Sequence, residues 1–224
     1  MFRHFHPYPV FIPEGCRRLI VGTLPPPRFS TGELRERDVD FCYGSADGNF
    51  WPLLAEIYKC TLRFDNSRDA VRQRKELLAS HKIGIADIVE SCLRARQDAA
   101  DTTMMDVRLR DLVNILQRVP NITQLLFMGG NSRNGPEYFF RQQFRQQGGC
   151  LHLVERDSPK VHRCTLHGRT IFTISLISPS SAANRAIGAT RLYKKRKQEN
   201  SHYSPFAYRL EQYRRVFLEL DSHF

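Results

Sequence analysis

The chain has 224 residues, of which 41% are hydrophobic, and this is enough to bury the core of one compact domain. Its 34 lysine and arginine residues outnumber its 23 acidic residues and give a formal net charge of +11, which indicates an anionic partner such as nucleic acid or, alternatively, only a basic solvated surface. The N-terminal 15 residues contain no unbroken apolar run, so we expect no signal peptide, no membrane span and a soluble cytoplasmic protein.

The cysteines and the N-terminal histidines give no recognisable metal-binding pattern. No two of the six cysteines have the CxxC spacing of zinc or iron-sulfur ligands, so we expect reduced and mostly buried thiols. His4 and His6 have no further ligands nearby in the sequence, and this favours surface positions over a metal site. The expected chemistry therefore uses no metal.

The first half of the chain alternates between apolar runs and polar loops. Residues 19–21 predict a buried strand that ends at Gly22 and three prolines, and a long polar loop over 28–48 follows. Asn49 is a predicted N-cap for a helix with an apolar stripe. Phe50 and Trp51 then have two interpretations, as core residues of this helix or as part of a pocket wall.

The middle of the chain predicts further helices and strands in alternation. A charged helix over 67–80 with Ser67 as its cap is followed by a strand over 82–91, and a helix is expected over 104–119. A third buried strand covers 123–131, and a helix begins at Pro136, a favoured first-turn position for proline.

The last third predicts strands around a tight turn and then a basic tail. Residues 151–157 and 162–181 have the composition of strands, with His167 and Gly168 as a hairpin turn and the last strand running into a serine-rich loop. An irregular basic segment over 191–204 precedes a helix from about Pro205 to Leu220. The whole pattern predicts an α/β fold, a three-layer α/β/α sandwich with a central, mostly parallel four-stranded sheet, as one domain over 1–224.

In such a sheet, ligands bind beyond the carboxyl ends of the strands. The candidate loops are those that begin at Gly22, after Ile88, at Gly129 and at Ser178. The sequence lacks GxGxxG, a P-loop, GxSxG and HExxH, so we expect no nucleotide cofactor, no serine-hydrolase elbow and no zinc centre. A rim of glycine, proline, serine and asparagine with aromatic residues and positive charge nearby suits a base and its phosphates.

Three segments in this order resemble motifs of the uracil-DNA glycosylase superfamily: LIVGTLPPP, YGSADGNFW and LISPSSAANRA. Within the superfamily the hypoxanthine-DNA glycosylase-like branch is most similar, and the resemblance extends from about Pro9 to the C-terminal helix. It implies a base-excision enzyme that hydrolyses the bond between a deaminated base, uracil or hypoxanthine, and deoxyribose in DNA. The base would be flipped out of the helix, and neither metal nor cofactor would be needed.

The resemblance also implies roles for the first loop, which begins at Gly22, and for the aromatic segment, residues 41–51. Base-binding positions would be Gly22, Thr23, Leu24 and Tyr43, with Tyr43 as the ring on which the flipped base stacks or, alternatively, a ring packed at the edge of the loop. Asp87, at the end of a predicted strand on the same rim, is a further candidate acid for the base site or, alternatively, a cap of the next turn. Leu24 occupies the place where many members have Asn or Asp, and leucine can neither orient nor deprotonate water.

The aromatic segment supplies two candidate catalytic residues. Asn49 would contact the base or the water, and Asp47 would stabilise the developing positive charge on the sugar. The alternatives are a plain helix cap for Asn49 and a turn residue for Asp47.

The third segment and the basic run after it would contact DNA. The third segment, LISPSSAANRA, resembles the second motif of the superfamily, and Ser178 stands where that motif usually has a histidine. Contacts to DNA are expected from these residues: Ser178, Pro179, Ser180, Ser181, Asn184, Arg185, Lys194, Lys195, Arg196 and Lys197. The alternatives are a structural serine-rich turn and a solvated charged face.

The sequence thus favours a DNA glycosylase that acts as a monomer. A catalytically weak or inactive member that binds damaged or single-stranded DNA is the alternative, because neither of the usual polar catalytic positions is filled. An enzyme that handles free nucleotides on a similar sheet is a third possibility.

Overall fold

The structure, a computed structural model, describes residues 1–157 and 159–219. The strands in this part of the chain are β1 (Phe2–Phe5), β2 (Arg18–Val21), β3 (Ile83–Ile85), β4 (Val89–Arg94), β5 (Met105–Leu109), β6 (Gln124–Phe127), β7 (His152–Glu155), β8 (Lys160–Leu166) and β9 (Arg169–Ser175). The helices are α1 (Pro27–Thr31), α2 (Phe50–Tyr58), α3 (Arg68–Ser80), α4 (Leu112–Arg118), α5 (Pro136–Gln146), α6 (Asn184–Ala189), α7 (Arg191–Glu199) and α8 (Pro205–Arg214).

The central sheet has six strands in the order β3-β2-β6-β9-β8-β7. The first four are parallel, whereas β8 and β7 are antiparallel to their neighbours. The expectation of four strands is therefore wrong in number, although the parallel part has four. The two-residue turn at His167 and Gly168, both at positive φ, places β8 beside β9, and β7 then pairs with the free edge of β8, so the hairpin and β7 extend the parallel sheet by two strands.

Helices cover both faces of this sheet, as the sequence predicts for a three-layer sandwich. Ile20 of β2 faces a core formed with α2, α3 and α8, whereas Leu19 and Val21 face a second core formed with α4 and α5. Consecutive strand residues point to opposite faces, so a fully apolar strand fits a position between two helical layers.

The segment expected as one strand over 82–91 is divided between two sheets. β3 pairs with β2 in the central sheet, whereas β4 pairs with β1 and β5 in a small antiparallel sheet. The chain changes partners at residues 86–88, so Asp87 falls in a short connection at the edge of the central sheet.

The helix expected over 104–119 is correct only in its second half. Met105–Leu109 is a strand in which Val107 and Leu109 are less exposed than Asp106 and Arg108, a period of two residues. The helix begins at Leu112, because the Asp111 side chain accepts a hydrogen bond from the Asn114 N–H and caps it.

The predicted starts of α3, α5 and α8 agree with the structure, whereas the prediction for the basic tail does not. Ser67 caps α3 by accepting from the Ala70 N–H, and Pro136 occupies the first turn of α5. The tail expected to be irregular contains α7 instead, which Thr190 caps. α8 begins at Pro205 and continues as a π-helical segment over Arg215–Glu219, while Leu220 lies outside the described residues.

The cysteines are unpaired and mostly buried, as expected, whereas the two N-terminal histidines are not at the surface. All six cysteines are unpaired, and Cys16, Cys42, Cys92 and Cys164 are buried. The expected surface position is wrong for His4, which is buried and accepts from Arg94, and burial lowers its pKa to about 4. Within the described ranges, no helix combines the length and apolarity needed to cross a bilayer.

Candidate active site

The loops at the carboxyl ends of the four parallel strands lie along one edge of the central sheet. Gly22 follows β2, Ala86 follows β3, Met128 follows β6 and Leu176 follows β9. Because these strands are parallel, their carboxyl ends share an edge, as the sequence predicts. The candidate loops are therefore neighbours in space.

The Asp87 carboxylate connects the loop after β2 with Tyr43 and with His6. Its Oδ1 accepts hydrogen bonds from the Gly22 N–H at 2.8 Å and the Tyr43 hydroxyl at 3.0 Å. Its Oδ2 lies 3.0 Å from the His6 Nε2. Asp87 is only 5% exposed, so each of these bonds satisfies a carboxylate that would otherwise be costly to bury.

Gly22 is a glycine because of this arrangement. A Cβ added at Gly22 would lie 2.2 Å from the Tyr43 hydroxyl oxygen and 2.8 Å from the Asp87 Oδ1. The first loop therefore approaches the aromatic segment more closely than any side chain would permit.

Tyr43 is held in a defined orientation. It adopts a left-handed backbone with φ of 57°, and its ring centroid lies 4.5 Å from that of Phe50. Burial, together with the nearby Asp87 charge, raises the pKa of the Tyr43 phenol well above its usual value, so the hydroxyl remains a donor. Tyr43 is half-buried, with its hydroxyl end committed to Asp87.

His6 is a member of this cluster that the sequence did not suggest. Its side chain is fully buried, contrary to the expected surface position, and its Nδ1 lies 3.1 Å from the Tyr8 main-chain nitrogen, from which it can accept. His6, Cys42 and Asp87 have potential metal-ligand atoms within 4.8 Å of one another. Burial raises the pKa of the Cys42 thiol, which favours its protonated form.

The aromatic segment, residues 41–51, is fixed in shape by Asp38, whose side chain is fully buried. Its carboxylate accepts from the Arg28 guanidinium at 2.7 and 2.9 Å and from the main-chain N–H groups of Arg35 and Ala46. Burial opposes ionisation, but these hydrogen bonds prevail and lower the pKa of Asp38 to about 2. Phe50 and Trp51 are core residues, each 1% exposed.

The aromatic segment and the serine turn, residues 178–184, are joined by hydrogen bonds. The main-chain N–H of Asn49 and its Nδ2 both donate to the Pro179 carbonyl, at 3.0 and 3.1 Å. The Ser181 hydroxyl donates to the Asp47 carbonyl at 3.0 Å. The sequence-predicted residues of the two segments are thus brought together, and the Asn49 side chain does not cap α2.

The Asp47 carboxylate is directed away from this junction and accepts a hydrogen bond from Arg35 at 2.7 Å, and both side chains are exposed.

In the serine turn, the N–H groups of Ser180 and Ala182 donate to the hydroxyls of Ser178 and Ser180. Thr23 donates to Asp101, and Leu24 packs against the core on the α4 and α5 side.

The Arg209 side chain, on α8, binds the serine turn through hydrogen bonds. This guanidinium is 1% exposed and donates to the carbonyl oxygens of Ser178 and Ser180 and to the Asn184 Oδ1, at 2.8, 2.7 and 2.7 Å. Burial lowers the pKa of Arg209. A buried arginine with main-chain and amide acceptors fixes a loop in one conformation, because its planar fork sets the direction of each bond.

A cleft of about 520 Å³ lies between the ends of β6 and β9. Ser178 lines it, whereas Tyr43, Asp47 and Asn49 are not among its described lining residues. Three carboxylates also line it, Asp101, Glu137 and Asp157, together with the cations Arg156 and Lys160. Its lining residues suit a polar ligand.

Two of these carboxylates, Glu137 and Asp101, differ in their surroundings. Glu137 is fully buried, and its oxygens accept from Ser175 at 2.6 Å and from Arg141 at 2.8 Å. Asp101 accepts from the Thr23 hydroxyl at 2.7 Å, and burial raises its pKa to about 6. A raised pKa in a cleft is a feature of functional carboxylates.

The basic run is separate from these hydrogen-bonded clusters. Lys194, Lys195, Arg196 and Lys197 are exposed on α7, and Arg185 is exposed on α6 directly after the serine turn. Lys195 and Arg196 each have an acidic partner at 3.9 Å, so most of the positive charge of α7 is not neutralised.

His6, Asp101, Glu137 and Arg209 were not singled out by their sequence positions. Asp101 and Glu137 lie in polar or helical segments without motif spacing, and their burial depends on contacts distant in the sequence. Arg209 could have been suspected as a cation on a helix expected to be amphipathic, but its acceptors lie 25 to 31 residues away.

Comparisons with known proteins support the fold. The chain is similar to a solution NMR structure from Methanosarcina acetivorans, provisionally named a uracil DNA glycosylase, with a TM-score of 0.53 and 19% sequence identity. The match covers 94% of this chain and 99% of that one. No protein-family model and no curated protein matches the sequence.

Replacing Arg209 with lysine tests its role as the support of the serine turn. Lysine keeps the charge but cannot bond three diverging acceptors, so we expect the free energy of unfolding to fall by about 2 kcal/mol or more. Arg214→Lys, on the same helix but in an exposed pair with Glu56, should cost less than about 1 kcal/mol in urea unfolding. Equal losses in the two variants would contradict the role of Arg209.

Asp101→Asn tests the raised pKa through stability. Because the folded state holds the Asp101 proton more tightly than the unfolded state, stability falls as the pH rises from about 4 through about 6. The variant should therefore be more stable than the wild type at pH 7.5, by on the order of 2 kcal/mol, and the gain should vanish below pH 4. A gain that does not change with pH would contradict the raised pKa.

Proposed function

We propose that the protein is a DNA glycosylase that hydrolyses the N-glycosidic bond of a flipped deaminated base, uracil or hypoxanthine, in DNA. The observation that carries this proposal is the junction of the aromatic segment with the serine turn, through Asn49 and Ser181. Those segments carry the motif resemblance, and they meet beside the first loop at the ligand-binding edge of the sheet.

The fold likeness to a protein named as a uracil DNA glycosylase supports the same proposal. So does the net charge of +11, because DNA binding relies on cations that replace counterions along the phosphates. In this proposal Gly22, Thr23, Leu24, Tyr43 and Asp87 shape the base site. Asp87 acts through the hydrogen bonds that hold Gly22 and Tyr43 in place.

The remaining roles follow from the contacts of the aromatic segment and the serine turn. We propose that Asp47 stabilises the cationic sugar after release from Arg35, and that Asn49 positions the serine turn against α2. Ser178, Pro179, Ser180, Ser181, Asn184 and Arg185 would contact the DNA backbone around the flipped nucleotide. Leu24 supplies no polar group, so another side chain must activate the water.

A DNA-binding protein without catalysis is the second candidate. The observation that favours it is that Leu24 is packed against the core, while Asn49 and Asp47 are both engaged by other residues. Base binding and phosphate contacts would persist in such a protein, and hydrolysis would be missing.

Oligonucleotides that carry uracil, hypoxanthine or xanthine separate the two candidates. The glycosylase should generate abasic sites in at least one of them, detected as alkali-labile strand breaks, whereas a binding protein should bind with strong salt dependence and leave every base attached. Binding of free nucleotides with no effect on any oligonucleotide would contradict both.

Asn49→Ala and Asp47→Ala test the assigned roles. Each should lower turnover by about tenfold or more while retaining binding, because the Asn49 main-chain bond to Pro179 remains and Asp47 is exposed. Asp69→Ala, an exposed carboxylate of α3, is the control and should leave turnover unchanged. Full activity in both test variants would contradict these roles.

Replacement of Lys194, Lys195, Arg196 and Lys197 by glutamine tests whether α7 binds DNA. Binding should weaken to a similar extent for all sequences, and the slope of log affinity against log salt should decrease by about 0.9 for each phosphate that the variant no longer neutralises. Replacing four exposed cations near α2 and α3, Lys59, Arg63, Arg68 and Arg72, removes the same charge from another region. Equal effects of the two sets would indicate a general charge effect and contradict direct binding of DNA by α7.

A further inference from the structure

Asp101 is held at the edge of the cleft by two connections. Its carboxylate Oδ1 accepts from the Thr23 hydroxyl, at 2.7 Å, and Thr23 belongs to the first loop. Its main-chain carbonyl accepts from the Nδ2 of Asn134, at 2.9 Å, and Asn134 is only 7% exposed. The carboxylate is therefore fixed both to the first loop and to the loop after β6.

We propose that Asp101 is the general base that activates water in the cleft between β6 and β9, in place of the polar residue that the first loop lacks at Leu24. This inference rests on the proposed glycosylase function and names a catalytic residue for it. The base would lie against the loop that begins at Gly22, whose Thr23 bonds Asp101, and the sugar would lie at the edge of the cleft between Asp101 and Ser178, both of which line it.

The step conserves atoms and charge. As the C1′–N bond breaks, its electron pair leaves with the base, which takes up a proton from solvent. The water oxygen forms a bond to C1′, and the proton of that water passes to the Asp101 carboxylate. The products are the free base and an abasic sugar with a hydroxyl at C1′.

Asp101 is the carboxylate in this cleft that suits the role. Both oxygens of Glu137 are engaged, one by Arg141 and one by Ser175. Asp157, which also lines the cleft, is exposed to solvent. For Asp101, the side-chain hydrogen bond among the described residues is the one from Thr23, which leaves Oδ2 to accept from water.

The charges around Asp101 set the pH at which it can act. Thr23 and Arg94 favour its ionised form, whereas burial and the nearby Asp87 disfavour it. The cleft also contains Glu137, Arg156, Asp157 and Lys160. With a pKa of about 6, Asp101 is ionised at pH 7.5 and is a stronger base than an ordinary carboxylate.

The test compares wild type, Asp101→Asn and Thr23→Val on the oligonucleotide that the wild type cleaves. Asp101→Asn should lower kcat by 100-fold or more, in the usual range for removal of a general base, while its affinity for the same oligonucleotide changes less than threefold. Thr23→Val removes a bond that favours the ionised carboxylate, so the acidic limb of its kcat/KM profile should shift to higher pH. A merely structural role for Asp101 would not move that limb.

Asp106→Asn is the matched control, because this carboxylate is exposed in a pair with Arg3 and its positive φ suits asparagine. It should leave both kcat and the pH profile unchanged. An active wild type together with a fully active Asp101→Asn variant would overturn the inference and leave the glycosylase function intact. An inactive wild type on every lesion would overturn the function and the inference together. If Asp101→Asn fails to fold, an unshifted Thr23→Val profile overturns the inference.

Discussion

The buried carboxylate of Asp87 is the contact on which the arrangement of this edge depends. It lies where the chain leaves the central sheet for the small one, and it accepts from Gly22 and Tyr43 and contacts His6. A buried carboxylate is stable only when its partners are in place, so these three segments form a cooperative unit. The first loop and the aromatic segment therefore have fixed positions before any ligand arrives.

The serine turn is fixed by a different means. Arg209 supports it from the side of α8, and Asn49 and Ser181 join it to the aromatic segment. The result is a rigid rim of main-chain and hydroxyl groups beside a cleft that contains Asp101. Such rigidity favours catalysis by orientation, since a preorganised site loses little energy when the substrate binds. The exposed cations of α7 lie outside this rim, and in the proposed function they would attract DNA without taking part in the chemistry.

Sequence reasoning recovered the parts of the fold that depend on local pattern. The strand at residues 19–21, the Ser67 cap, the Pro136 helix start and the turn at His167 all follow from neighbouring residues. It failed where a segment's partners are distant in sequence. Residues 82–91 are divided because β4 pairs with β1, and residues 105–109 are a strand because they pair with β4.

The candidate site was likewise predictable from the sequence only in part. The loops that meet at the sheet edge were predictable, because parallel strands place their carboxyl ends together. The roles of His6, Asp101 and Arg209 were not, since each depends on burial beside residues far away in the chain. The residues around Leu24 illustrate the difference most clearly. The sequence indicates a missing polar group, and the carboxylate that we propose as its replacement, Asp101, is found only through its three-dimensional contact with Thr23.

The central claim is that a nucleotide is extruded into the cleft at this edge. A crystal structure of the protein with duplex DNA that carries a 2′-fluorinated, hydrolysis-resistant lesion nucleotide tests it most directly. We expect the lesion outside the helical stack, with its C1′ near the Asp101 carboxylate and its phosphates at the serine turn. DNA bound with every base stacked, or on a face away from the cleft, would contradict the account.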